Sequence, residues 1–366
     1  MSTPAEPDPK AAQEAIEYYF EQGWTDGLPV VPATESRLAE FLASTSRDPE
    51  EVLTTGPQWG VSCTVRQAAI NAIMAGCKPE YLPVVIAAIE ALWGGEKTVN
   101  ALLVSTTGSA PMMVVNGPMR TQLGINCAGS VFGSGFRANQ TIGRAIRLIV
   151  LNVFGLRPHE LDQATQASPA KYTLCIGENE EESPWAPLHV DLGFRPEDST
   201  VSTFMARGSL HIEHRHYNHA ERLLMAIADA MSYGGAQFAV HGPSVVAMGP
   251  EHAHFLARSG WSKERVKGFL LEHYGKTMGE LRRMGKGGFE ERGPNQYWLV
   301  DEPNARVMDG SSELPDEHFW RFGRSVDDIL LFVTGANNAG ISTIIPPIGA
   351  VGGKRNMALI EDRAND

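Results

Sequence analysis

A strand–Gly-Pro–helix pattern that occurs twice is the feature that most constrains this chain of 366 residues. Pro111-Met112-Met113-Val114-Val115-Asn116-Gly117-Pro118 aligns with Pro243-Ser244-Val245-Val246-Ala247-Met248-Gly249-Pro250 at an offset of 132. Further on, Gly135-Phe136 ahead of a helix at Asn139 aligns with Gly260-Trp261 ahead of a helix at Ser262, at an offset of 125. The 7-residue difference falls where the first copy carries Cys127 to Gly133. Each copy follows an alanine-rich helix and precedes a strand that runs to a glycine, Tyr172–Ile176 before Gly177 and Ile329–Val333 before Gly335. The expectation is an α/β fold of two related halves in a pseudo-twofold arrangement, each a strand–Gly-Pro–helix unit. On this reading residues 1–50 are an N-terminal helical arm, 51–205 the first half with a glycine-rich loop, and 206–366 the second half with an irregular lid over 276–317.

Local signals fill in that frame. Residues 1–10 read as disordered, followed by short helices over Ala11–Gln22 and Glu35–Ser44. Thr64 is a good N-cap for a helix to Gly76, and Glu80–Trp93 forms a second; both are apolar over most of their circumference and so should be covered on several sides. Strands are expected over Leu102–Thr106, Met112–Val115, Tyr172–Ile176 and Thr200–Met205, with an extended stretch near Leu188–Val190. Helices are expected over Asn139–Val153 and Ala220–Met231.

The glycine-rich segment Gly124 to Gly135 joins the strand to the helix from Asn139. Strand, glycine loop and helix start leave backbone N–H groups free to meet a carboxylate or phosphate. Neither GxGxxG nor a Gly-Lys-Ser/Thr ending is present, so no nucleotide site is read here. Asn126, Arg137, Asn139 and Arg144 are the candidate anion binders, with Arg147 adding to a locally basic pocket. A net charge of −12 disfavours nucleic acid or an anionic membrane as the main partner but leaves room for a small anionic substrate. No apolar run reaches membrane-span length, and the opening residues carry no basic-then-apolar leader, which points to the cytoplasm.

Three groups of side chains are candidates for chemistry. Four cysteines, Cys63, Cys77, Cys127 and Cys175, stand apart without a CxxC pair. Cys127 lies among glycines just ahead of a helix start, a setting that favours a nucleophilic thiolate. Glu178 and Glu180 follow the end of a strand, the edge where ligands gather in open α/β sheets. An extended chain there would aim both carboxylates to one side, beside Trp185, so that one of them holds its proton to higher pH and can donate it. His211, His214, His216 and His219 fall within nine residues and would suit a divalent metal ion, zinc or iron, although no standard spacing is present. Asp26, in a loop braced by Pro29 and Pro32, is a further candidate for substrate binding.

Several blocks carry a family resemblance: Gly23–Pro32, Met74–Pro83, Arg137–Ala145, Glu178–Trp185, Gly249–Ala253 and Gly260–Lys263. Together they resemble the large region of the bacterial UGSC family of (seleno)proteins, over about residues 15–340. The Cys/Sec-Gly-Ser-Cys motif that names that family is absent, and Gly60-Val61-Ser62-Cys63 is only a superficial echo of it. The resemblance implies work with a separate thiol- or selenol-bearing partner, or chemistry that dispenses with that motif.

The sequence thus favours an enzyme, a lyase or hydrolase acting on a small carboxylate-bearing substrate with Glu178 or Glu180 moving the proton, assisted or not by a metal. A thiol-linked oxidoreductase completed by a Cys/Sec partner protein is the first alternative, and a non-catalytic binding subunit the second. Either form is expected to be a homo- or hetero-oligomer.

Overall fold

The computed structural model describes residues 8–56, 60–94, 99–216, 218–235, 242–284, 314–349, 351 and 356–361. Most of the lid expected over 276–317 lies outside these residues. The chain is a mixed α/β fold of several strand–helix units, divided into two compact units. The first comprises residues 1–177, 192–205 and 353–366; the second comprises 178–191 and 206–352. The segment 178–191 thus interrupts the range 51–205, and the last residues return to the first unit.

In the first unit, the buried strand Ala110–Asn116 pairs in parallel with Cys175–Gly177, Met113 lying opposite Cys175. Strand Thr200–Ala206 lies on its other side and takes Met357–Leu359 as an antiparallel neighbour. The helix Arg137–Asn152 links the parallel strands and packs on the helix Val65–Ala75. That second helix starts where Thr64 and Gln67 form a reciprocal capping box, and it stops at Gly76, whose φ of 90° is left-handed. The helix Leu82–Gly94 is apolar almost all round because nearly all of it is buried, from Leu82 through Ile89 to Leu92.

The second unit is built on a four-stranded sheet in the order Ile329–Val333, Ser244–Met248, Ile341–Ile345, Leu210–Glu213. The first pair is parallel, with Val245 opposite Leu330, and the next two pairs are antiparallel. The helices Ala220–Gly235, Pro250–Arg258 and Lys263–His273 supply Leu223, Ile227, Leu256, Val266 and Leu270 to its core.

Each central strand ends in a Gly-Pro step that begins a helix, and in both cases the glycine is a steric necessity. A Cβ on Gly117 would collide with the carbonyl oxygen of Asp198, and one on Gly249 with that of Ile341. A serine one residue further along each neighbouring segment satisfies the turn. Ser199 Oγ accepts from the Met119 N–H at 3.0 Å, and Ser342 Oγ from the Gly249 N–H at 3.1 Å.

Two expected strands are helical. Val99–Leu103 is a short helix where a strand was expected from Leu102, and Leu188–Asp191 is a helical turn. A short apolar run does not by its periodicity distinguish a strand from a buried helix, and Leu102-Leu103-Val104 is such a run. Strand Cys175–Gly177 is also shorter than expected, since Pro169–Lys171 forms a 3-10 turn ahead of it. No helix of the described residues is long and apolar enough to cross a membrane.

The backbone collisions predict that Gly117→Ala and Gly249→Ala each lose more than about 2 kcal/mol of stability. Gly268→Ala, mid-helix with open space around the new Cβ, should instead gain about 0.5 kcal/mol. Urea unfolding of the three variants checks the contrast, and equal effects would remove the steric argument.

Candidate functional site

The carboxyl ends of the parallel strands in the first unit bring Arg120, Cys127 and Gly177 together. Arg120 sits in the short helix Pro118–Gln122 that follows Gly117, is 4% exposed, and donates from Nη1 to Cys127 Sγ at 2.9 Å. Gly177 leaves room for that pair: a Cβ there would stand 2.8 Å from Arg120 Cδ and 3.0 Å from Cys127 Cβ.

The loop carrying Cys127 is held by amide groups. Buried Asn139 accepts from the Asn126 N–H at 2.8 Å and donates to the Asn126 carbonyl at 2.9 Å and the Cys175 carbonyl at 3.1 Å. The Gly177 N–H donates to the same Asn126 carbonyl at 3.0 Å. Asn126 in turn shapes the loop, accepting from the Ala128 N–H and donating to the Gly129 carbonyl, both at 3.0 Å. The expected anion-binding amides are therefore spent on backbone, and what they fix in place is the thiol.

Cys127 is half-buried, whereas Cys63, Cys77 and Cys175 are buried. Burial pushes each of those three thiols up to about 12. A guanidinium donating to sulfur is the kind of environment in which reactive cysteines are found, and buried apolar surroundings are the kind in which they are inert.

The arginines expected to form one basic pocket are dispersed over three partners. Arg144 clasps Asp26 with Nε and Nη2 at 2.8 and 2.7 Å and also donates to the Leu28 and Pro29 carbonyls. Asp26 is thus the anchor of the N-terminal loop, its side chain 3% exposed. Arg137 donates to the Gly76 carbonyl at 3.0 Å and so caps the helix Val65–Ala75. Arg147 stands 3.6 Å from Asp162, which Lys171 holds at 2.6 Å.

In the second unit, Glu178 is fully buried and accepts from the Leu188 N–H at 2.8 Å. The extended geometry that would aim Glu178 and Glu180 together is absent, because Glu180–Glu182 is a 3-10 turn. Trp185 packs against the apolar core of this unit, its Nε1 donating to the Trp261 carbonyl at 3.2 Å. The four histidines do not converge: among the described residues no group of three or more His, Cys, Asp or Glu is arranged to hold a metal ion. His211, His216 and His219 are exposed, and the His214 carbonyl accepts from Nε2 of His252 at 3.1 Å.

His252 and Arg120 were missed by sequence reasoning, although a signal existed. Both are the third residue after the glycine of a Gly-Pro step. His252 is fully buried, and burial holds its pKa below the ordinary histidine value. Since Nε2 donates to a carbonyl, Nδ1 is the acceptor, and the Ser342 hydroxyl donates to it at 2.8 Å.

The clasp of Arg144 on Asp26 predicts that Arg144→Ala costs about 3 kcal/mol of stability by leaving a buried carboxylate unpaired. The change in Tm measures it, and a variant as stable as the parent would show that the pair is dispensable. Comparison of the chain with protein-family models, with curated proteins and with solved structures finds no match in any of the three.

Proposed function

We propose that this chain is a thiol enzyme in which Cys127 is the nucleophile and Arg120 stabilises its charged form. The observation that carries this reading is the 2.9 Å hydrogen bond from the guanidinium of buried Arg120 to the sulfur. A cationic donor at hydrogen-bond distance from a sulfur favours the thiolate form of that cysteine. The thiol-linked oxidoreductase therefore has more geometric support than the lyase or hydrolase run by Glu178 and Glu180, because those two carboxylates occupy unlike settings.

In the step proposed, the Cys127 sulfur bonds to one sulfur of a substrate disulfide and the other sulfur leaves as thiolate. The electron pair of the broken S–S bond goes with the leaving sulfur, so a mixed disulfide remains on Cys127. The three other cysteines are buried with raised thiol pKa values, so the thiol that resolves this bond comes from outside the chain. The resemblance to the UGSC family supports a partner protein bearing that cysteine or selenocysteine.

We infer also that the two units descend from one duplicated element. Their central strands, parallel neighbours and Gly-Pro helix starts correspond, with Met113 opposite Cys175 matching Val245 opposite Leu330. A serine of the neighbouring segment accepts from each turn, Ser199 from the Met119 N–H and Ser342 from the Gly249 N–H, and Arg120 and His252 occupy the same position after the glycine. On this view the loop Cys127 to Gly133 was added to one copy and brought the thiol with it.

The expected outcome with 5,5′-dithiobis(2-nitrobenzoate) under native conditions is one thionitrobenzoate released per chain, and none from Cys127→Ser. Arg120→Lys, which keeps a cation, should react faster than Arg120→Gln by about tenfold. No release from the parent would remove the thiol reading, and two per chain would show an internal resolving cysteine.

A further inference from the structure

A second acid–base arrangement stands at the carboxyl edge of the parallel strands Ser244–Met248 and Ile329–Val333, on residues the thiol chemistry does not use. Asn179 docks the acidic turn there, its N–H donating to the Val333 carbonyl at 2.8 Å and its Nδ2 to the Gly335 carbonyl at 2.9 Å. The turn Glu180–Glu182 that follows then presents the Glu182 carboxylate to two donors. One is Asn337 Nδ2 at 3.1 Å, from the loop after strand Ile329–Val333. The other is His254 Nε2 at 3.0 Å, from the helix Pro250–Arg258.

We propose that His254, oriented by Glu182 and Asn337, is the general base of a separate catalytic site that takes an uncharged or cationic ester. A carboxylate only accepts, so Nε2 carries the proton and Nδ1 is left as the basic nitrogen, with no hydrogen-bond partner among the described residues. Accepting from Nε2, the carboxylate fixes the tautomer and the orientation of the ring. The His254 and Glu182 side chains are 31% and 43% exposed, open to water and to a small molecule. A surface ion pair formed by chance would hold the carboxylate by one contact; here it is fixed from two elements, and the backbone of its turn is pinned by Asn179. Glu180 and Glu181 in the turn and Glu251 at the start of the helix make the surroundings negative, which disfavours an anionic substrate. Ligands of open α/β sheets gather at this edge.

In the step proposed, water attacks the ester carbonyl while Nδ1 takes its proton. The bond to the leaving oxygen then breaks, and the imidazolium returns the proton to that oxygen, giving acid and alcohol. His254 is the catalytic residue; Glu182 and Asn337 position it.

The test uses the full chain carrying Cys127→Ser, which removes thiol esterase activity, with p-nitrophenyl acetate as the uncharged probe. Hydrolysis above the buffer rate is expected, and adding His254→Gln should lower kcat/KM by at least about tenfold. Glu182→Gln should lower kcat with KM unchanged, and free imidazole should restore activity to His254→Ala, which a merely structural role would not allow. The anionic ester mono-p-nitrophenyl glutarate should be the poorer substrate at low salt. Absence of hydrolysis in the Cys127→Ser chain, or an unchanged rate in His254→Gln, overturns the site. A preference for the anionic ester overturns the substrate class. None of these outcomes depends on the reactivity of Cys127, so the two readings fail separately.

Discussion

The arrangement around Cys127 depends on one buried amide. Asn139 lies in the first turn of the helix Arg137–Asn152 and is almost fully enclosed, so each of its polar atoms must find a partner. It finds them in both backbone groups of Asn126 and in the carbonyl of Cys175, joining helix, loop and strand through three bonds. A loop rich in glycine has much backbone entropy to lose, and this amide concentrates the restraint one residue before the sulfur. Arg120 then approaches from the other side, across the space that Gly177 leaves free.

The charged groups of the first unit show how burial assigns roles. Arg144, Arg147 and Arg137 share one helix, and the sequence reading makes Arg137 and Arg144 anion binders with Arg147, a turn further from the helix start, the weaker contributor. Each instead closes a local deficit: a buried aspartate in a loop, a second aspartate shared with a lysine, and the carbonyls at a helix end. A buried carboxylate needs a cation more strongly than a solvated ligand does, because its own desolvation has already been incurred. The second unit follows the same rule with neutral groups. Buried His252 is held between a carbonyl and a hydroxyl, and the loss of solvation disfavours its charged form.

Where periodicity and capping dominate, the elements were legible in advance. Thr64 caps its helix, Gly76 ends it, and the apolar run from Leu82 is buried as a run of that kind must be. The Gly-Pro steps were equally legible, since a glycine ahead of a proline marks a strand end that turns into a helix. Leu102–Val104 and Leu188–Val190 were not, because so short a stretch fits either a strand or a buried helical turn. The acidic run misled for a related reason: alternation holds only while the chain stays extended, and the chain turns at Asn179 to donate to Val333 and Gly335.

By itself the sequence determined the class of fold, the two Gly-Pro strand ends and the presence of a lone cysteine in a glycine loop. These follow from short-range rules, in which a residue's preference is set by its immediate neighbours. Only the tertiary structure decided which charged side chains hold loops and helix ends in place and which meet one another. Arg120 and Cys127 are seven residues apart, and Glu182, His254 and Asn337 are far apart in the chain, yet each set converges. Nothing local encodes those meetings, because each joins side chains carried by different elements of the fold.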